Sequence, residues 1–172
     1  MINVSTIYSF NNYIKVACTL TIAEKVFKEV SESDIRYAEG RKSLDACWLW
    51  VERGDINADS LYELIDNEDF TGISEYAEEE EDLNIARLWS LLVDAVSYTA
   101  WQAYKKEGAK YLPQSLEGIK DESIEVYINS ATETTFINDE EIEEILERIL
   151  AEYEELKDII ITKEYFLNKI KV

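Results

Sequence analysis

A chain of 172 residues with a formal net charge of −20, 47% apolar residues and no histidine is too apolar to be a disordered polyanion, so its charge is expected on the outside of a folded body. Such a surface repels nucleic acid and anionic membranes and attracts basic proteins. Without histidine, the Ser-His-Asp and Cys-His arrangements and every histidine-containing metal helix are ruled out.

The length suits one domain spanning residues 1–172, a size that buries roughly 70% of the surface exposed by the unfolded chain. A single proline, Pro113, and five glycines are too few for many tight turns and favour long helices with short connections. The expected fold class is all-α, a bundle of about seven helices. From Met1 to Phe10 no basic residue precedes an apolar run, and uncharged stretches break well before about 18 residues, so a cytoplasmic location without membrane contact is expected. Cys18 and Cys47 lie inside apolar helical patterns and read as buried, reduced thiols.

The first helix is expected from about Ser9 to Val30, with Phe10, Ile14, Ala17, Leu20, Ala23, Phe27 and Val30 at helical spacing. Ser33 is the expected N-cap of a second helix, Asp34 to Arg53, which Gly54 terminates. Within it Tyr37, Leu44, Cys47, Trp48 and Val51 share one side, and Trp50 falls about 160° from Trp48. Trp50 therefore either packs under a neighbouring element or stands exposed as an anchor for a partner. Asn57 and Asp59 compete to cap a short helix from Ala58 to Asp66, followed by an irregular strip from Asp66 to Ser74. The carboxylates of that strip do not alternate over twelve residues around a central glycine, so it does not read as a calcium loop.

The run Glu75 to Asp82 reads Glu-Tyr-Ala-Glu-Glu-Glu-Glu-Asp and is expected to open the longest helix, about Glu78 to Glu107. Its inward register includes Leu83, Ala86, Trp89, Val96, Ala100, Trp101 and Tyr104. Carboxylates in a first turn oppose the positive end of the helix dipole, but that effect fades beyond one turn, so some of these glutamates remain available to a partner. Gly108, Pro113 and Gly118 mark a connection, and Asp121 to Ser130 reads as a helix in preference to a strand with nothing to pair with. Asn138 or Asp139 starts a helix to about Lys157, with Ile142, Ile145, Leu146, Ile149, Leu150, Tyr153 and Leu156 inward. Its outward positions are acidic with only Arg148 opposing them. A last helix begins at Thr162.

Glu140, Glu141 and Glu144, with Glu155 and Asp158, resemble the magnesium motif of all-α nucleotide pyrophosphohydrolases, whose halves converge from two antiparallel helices. Here the pattern between the halves is unbroken, which puts them about 20 Å apart along one axis. Isolated glycines supply no phosphate loop. No catalytic set, metal site or cofactor is expected.

The run Asp45-Ala46-Cys47-Trp48-Leu49-Trp50, the helix bearing Trp89 and Trp101, and the overall length resemble the mostly α-helical immunity family numbered six of bacterial polymorphic toxin systems. The resemblance implies a non-catalytic protein that neutralises a cognate toxin, commonly a nuclease. A basic, phosphate-binding toxin site and a rigid acidic surface are complementary. The expected partner-binding residues are Asp66, Glu68, Asp69, Glu75, Tyr76, Glu78, Glu79, Glu80, Glu81 and Asp82, with Tyr76 as an aromatic anchor; the outer face of Asp139 to Glu155 is the second choice. A helical scaffold or adaptor whose acidity serves solubility is the alternative.

Overall fold

The computed structural model describes residues 3–172; Met1 and Ile2, where the reading of the N-terminal segment begins, lie outside the described residues. Among the described residues there is no strand, and eight α-helices follow a 3-10 turn at Val4–Ser9: α1 (Asn12–Phe27), α2 (Tyr37–Arg53), α3 (Ala58–Tyr62), α4 (Ile73–Glu79), α5 (Leu83–Glu107), α6 (Ser123–Thr132), α7 (Asp139–Leu156) and α8 (Lys163–Ile170). The fold class is all-α. No helix among the described residues is long and apolar enough to cross a membrane.

The bundle is organised by α5, which packs against α1, α2, α3, α4 and α6, while α7 lies on α1 and α8. Leu88, Trp89, Leu92, Ala95, Val96 and Ala100 of α5 are all buried, as is nearly every position of α1 from Ile14 to Phe27. So continuous a buried run means that α1 is surrounded on several sides, unlike a surface helix with one apolar stripe.

Local chemistry sets the helix ends. Asn11 Oδ1 accepts from the Ile14 amide at 2.9 Å, so α1 starts after Phe10 and not at Ser9; it stops at Phe27. Ser33 does not cap α2: its hydroxyl pairs with that of Ser31, and Asp34 instead accepts from the amide and guanidinium of Arg36, delaying the helix to Tyr37. Asn57 wins the competition at α3 by accepting from the Ser60 amide, because the Asp59 carboxylate is taken by the Tyr104 hydroxyl at 2.5 Å. The short helix ends at Tyr62, ahead of the expected Asp66. Gly54 and Gly108, both at φ 69°, close α2 and α5 in the left-handed region.

The segment around Asp121 to Ser130 is helical, shifted to Ser123–Thr132, and α7 opens with a capping box between Asn138 and Glu141. Trp50 is buried and tilted against Tyr13, with ring centroids 5.0 Å apart, so it is a packing residue. Cys18 and Cys47 are free and buried, and burial pushes both thiols up to about 12. Leu150, expected inward, is 40% exposed.

Candidate functional site

The acidic run does not open the long helix. Its first half forms α4, the chain leaves helical space at Glu80 (ψ 124°), and α5 starts only after Asp82, whose carboxylate caps it by accepting from the amides of Asn84 and Ile85 at 3.0 and 3.1 Å. Glu80 holds the corner from both sides. One of its oxygens accepts from the Asp82 amide at 2.9 Å and the other from Arg36 at 2.8 Å. The Asp82 amide, with Arg36 beside it, holds the Glu80 carboxyl below its usual range.

Arg36 joins this corner to the segment preceding α2. Its other guanidinium face is forked onto Asp34, which lowers the Asp34 carboxyl and raises the guanidinium. The same guanidinium lies 5.3 Å from the Trp89 ring centroid. Tyr76 meets Trp89 edge-on at 5.0 Å and is half-buried; burial, reinforced by Glu39, raises its hydroxyl. Arg36, Tyr76, Glu79, Glu80 and Glu81 together line an open groove of about 360 Å³.

The ten expected contact residues thus divide. Glu78, Glu79 and Glu81 are exposed, and their carboxylates make no hydrogen bond or ion pair with the described residues. Glu80 and Asp82 are engaged in building the corner, and Glu75 and Tyr76 are half-buried. Asp66, Glu68 and Asp69 are exposed on the loop before α4 and do not line the groove. That loop is shaped by Asn67, whose side-chain oxygen accepts from the amides of Asp69 and Thr71.

Sequence reasoning missed several participants. Arg36 is a wall of the groove although it is far away in the chain. Next in the chain to Arg36 and three residues after Glu80, Ile35 and Leu83 are 94% and 65% exposed; Leu83 was expected inward, but the late start of α5 makes it the first helical residue. Phe70, 75% exposed and at φ 54°, projects from the acidic loop. Its position as an aromatic among carboxylates in an irregular strip was the available signal.

The second-choice surface is less bare than its sequence indicates. Glu141 pairs with Lys25 at 3.2 Å, Glu152 and Glu155 with Lys169 at 3.0 and 2.8 Å, Glu144 with Arg148 and Glu154 with Lys157. Lysines from α1 and α8 therefore neutralise much of α7. Helix α7 is also continuous, so the two halves of the magnesium-like motif stay at its opposite ends. Among the described residues no group of three or more Asp, Glu, Cys or His side chains is placed to hold a metal ion.

The family model for immunity protein Imm6 matches residues 14–134, more than half of the chain and all of α1 to α6 except the first two residues of α1. The chain belongs to the Imm6 family of immunity proteins. As a member of that family it is an immunity protein against a toxin. No curated protein and no solved structure matches it. The matched span contains the Arg36–Glu80 corner and all of the expected contact residues, and it ends before α7 begins at Asp139.

Proposed function

We propose that this immunity protein neutralises a basic cognate toxin, a nuclease, by docking the rim formed by α4, the Glu80 corner and the start of α5 onto the toxin's phosphate-binding site or its approach. It acts by binding, without catalysis, in the cell that makes the toxin. The observation that carries this reading is the pair of unpaired, exposed carboxylates of Glu79 and Glu81 lining a groove whose shape is fixed by Arg36 and Glu80, with exposed Glu78 adjacent on α4. Exposed Ile35 and Leu83, close in the chain to Arg36 and Glu80, supply apolar contact to a charged rim, the composition of a stable protein interface.

Two further considerations favour this rim over the outer face of α7: the α7 carboxylates are largely paired within the fold, and α7 falls outside the span matched by the family. A fixed acidic groove needs little rearrangement to meet a basic site, and the surplus negative charge steers encounter.

The test uses the toxin encoded beside the gene for this chain. Association kinetics are measured over a salt series for the native chain, for Glu78→Gln/Glu79→Gln/Glu81→Gln, and for Glu140→Gln/Glu147→Gln. The first triple variant should associate about tenfold more slowly at low salt with a flatter salt dependence, while the α7 variant matches the native chain. Equal rates for the triple variant and the native chain would remove this rim from the proposal. The nuclease assignment stands if the toxin degrades DNA or RNA and the native chain stops it.

A further inference from the structure

About 18 Å farther along α5 from its Asp82 cap, at 1.5 Å per residue, lies a cavity of about 220 Å³ between α5, α6 and the middle of α1. Ile119 and Ile124 contribute apolar surface to it, and Tyr98 and Tyr127 contribute aromatic surface. Both tyrosine hydroxyls are already committed. That of Tyr98 donates to Asp121 at 3.1 Å and accepts from Gln102 at 3.0 Å; that of Tyr127 donates to the Thr19 carbonyl at 2.8 Å. The rings are therefore fixed in place.

Two polar groups lining the cavity make no hydrogen bond or ion pair with the described residues: the Asp94 carboxylate and the Ser97 hydroxyl, one turn apart on the same side of α5. The ammonium of Lys15 does not serve Asp94, because it is bonded to Asp121 at 2.9 Å. Crowding by the protein pushes the Asp94 carboxyl up to about 6, although the side chain remains exposed to solvent; at neutral pH it is a hydrated anion with no protein cation on it, lining an apolar, aromatic cavity. A carboxylate that no protein cation neutralises, lining an apolar cavity, is open to a cationic ligand.

We propose that this cavity binds an alkylammonium or alkylguanidinium group, with its charged head on Asp94 and Ser97 and its apolar stem against Ile119, Ile124 and the two tyrosine rings. The free acceptors select a cationic donor, the aromatic faces favour the same charge, and the net charge of −20 concentrates cations at the surface. The volume lies below the roughly 300 Å³ of drug-sized sites and admits one side chain or one small amine. The chemistry is shared by a free amine and by a lysine or arginine side chain of a protein partner. The site does not depend on the rim proposed above.

The test titrates n-butylammonium, n-propylguanidinium and neutral 1-pentanol into the isotopically labelled chain, followed by amide NMR shifts. The two cations should move Thr19, Ser97, Tyr98, Ser123 and Tyr127 with saturation in the millimolar range. Binding should weaken at least tenfold for the alcohol and for Asp94→Asn, and should be unchanged in Glu81→Gln. Equal binding of alcohol and amine, cation shifts scattered over the acidic rim, or cation binding that survives Asp94→Asn would each overturn the proposal. A second arm separates the sources with the toxin encoded beside the gene. If the head group belongs to the toxin, Asp94→Asn speeds dissociation of the complex at least tenfold and the amines compete with it; if the ligand is a free amine, the complex is unaffected while the amines still bind. Failure of the rim variants with retained amine binding would leave this cavity standing on its own.

Discussion

The Trp48 indole donates to Glu24 Oε1 at 3.0 Å, joining α2 to a carboxylate buried in the last turn of α1. The same carboxylate is forked by Arg41, with Lys163 of α8 3.6 Å away, and both cations also reach Asp45. One buried acid thereby ties three helices together. Its side chain is only 8% exposed, and its oxygens face two cations and an indole N–H, which replace the lost hydration.

Arg41→Ala should destabilise the fold by about 3 kcal/mol, because it leaves Glu24 without its forked donor in a dehydrated place. Glu24→Gln/Arg41→Met, which removes both charges and keeps the volume, should recover much of that loss. Urea denaturation followed by tryptophan fluorescence gives both values, and a single variant within about 0.5 kcal/mol of native stability would show that the network is not required.

The carboxylates of the acidic run should separate by role. Asp82→Ala removes the cap of α5 and should cost about 1 kcal/mol, with Asp82→Ser close to native, whereas Glu81→Gln should leave stability unchanged and alter only toxin association. Thermal unfolding of the three variants distinguishes the structural acid from the docking acid.

Gly72→Ala should unfold the α3–α4 connection. A Cβ there would stand 2.1 Å from the Ile65 carbonyl oxygen, a backbone atom, and that oxygen is held by the amide and hydroxyl of Ser74 at 3.1 and 2.7 Å. A cost above about 2 kcal/mol is expected. Gly118→Ala, with open space around its Cβ position, should be neutral, and denaturant midpoints compare the two.

Asp94 makes stability depend on pH in a direction opposite to that of an ordinary surface carboxylate. Its folded-state value of about 6 lies above the unfolded value of roughly 3.9, so between those limits the native state binds more proton and stability falls as pH rises. Asp94→Asn should therefore be more stable than the native chain at pH 7.5, and the gain should vanish towards pH 4. A difference that is constant with pH would show that Asp94 is not the group responsible; the exposure of its side chain to solvent keeps the effect modest.

Most of the helices were legible because helical periodicity and turn residues act locally: the apolar repeat of α1, Gly54 and Gly108 as terminators, Asn138 with Glu141, and Thr162 each announce an element through neighbours within one turn. The acidic run misled for the same reason. Seen in the chain, four successive glutamates before an apolar repeat read as the first turn of one helix, but Arg36, more than forty positions earlier, draws Glu80 out of helical geometry at 2.8 Å. The bare look of α7 was equally local, since Lys25 and Lys169 reach it from α1 and α8.

By itself, the sequence determined a helical body with an acid surplus and the resemblance to immunity proteins, because composition and spacing are properties of the chain. Only the tertiary structure decided which carboxylates are free. A charge is neutralised by whatever lies within a few ångströms of it, and in a folded chain those neighbours come from other helices.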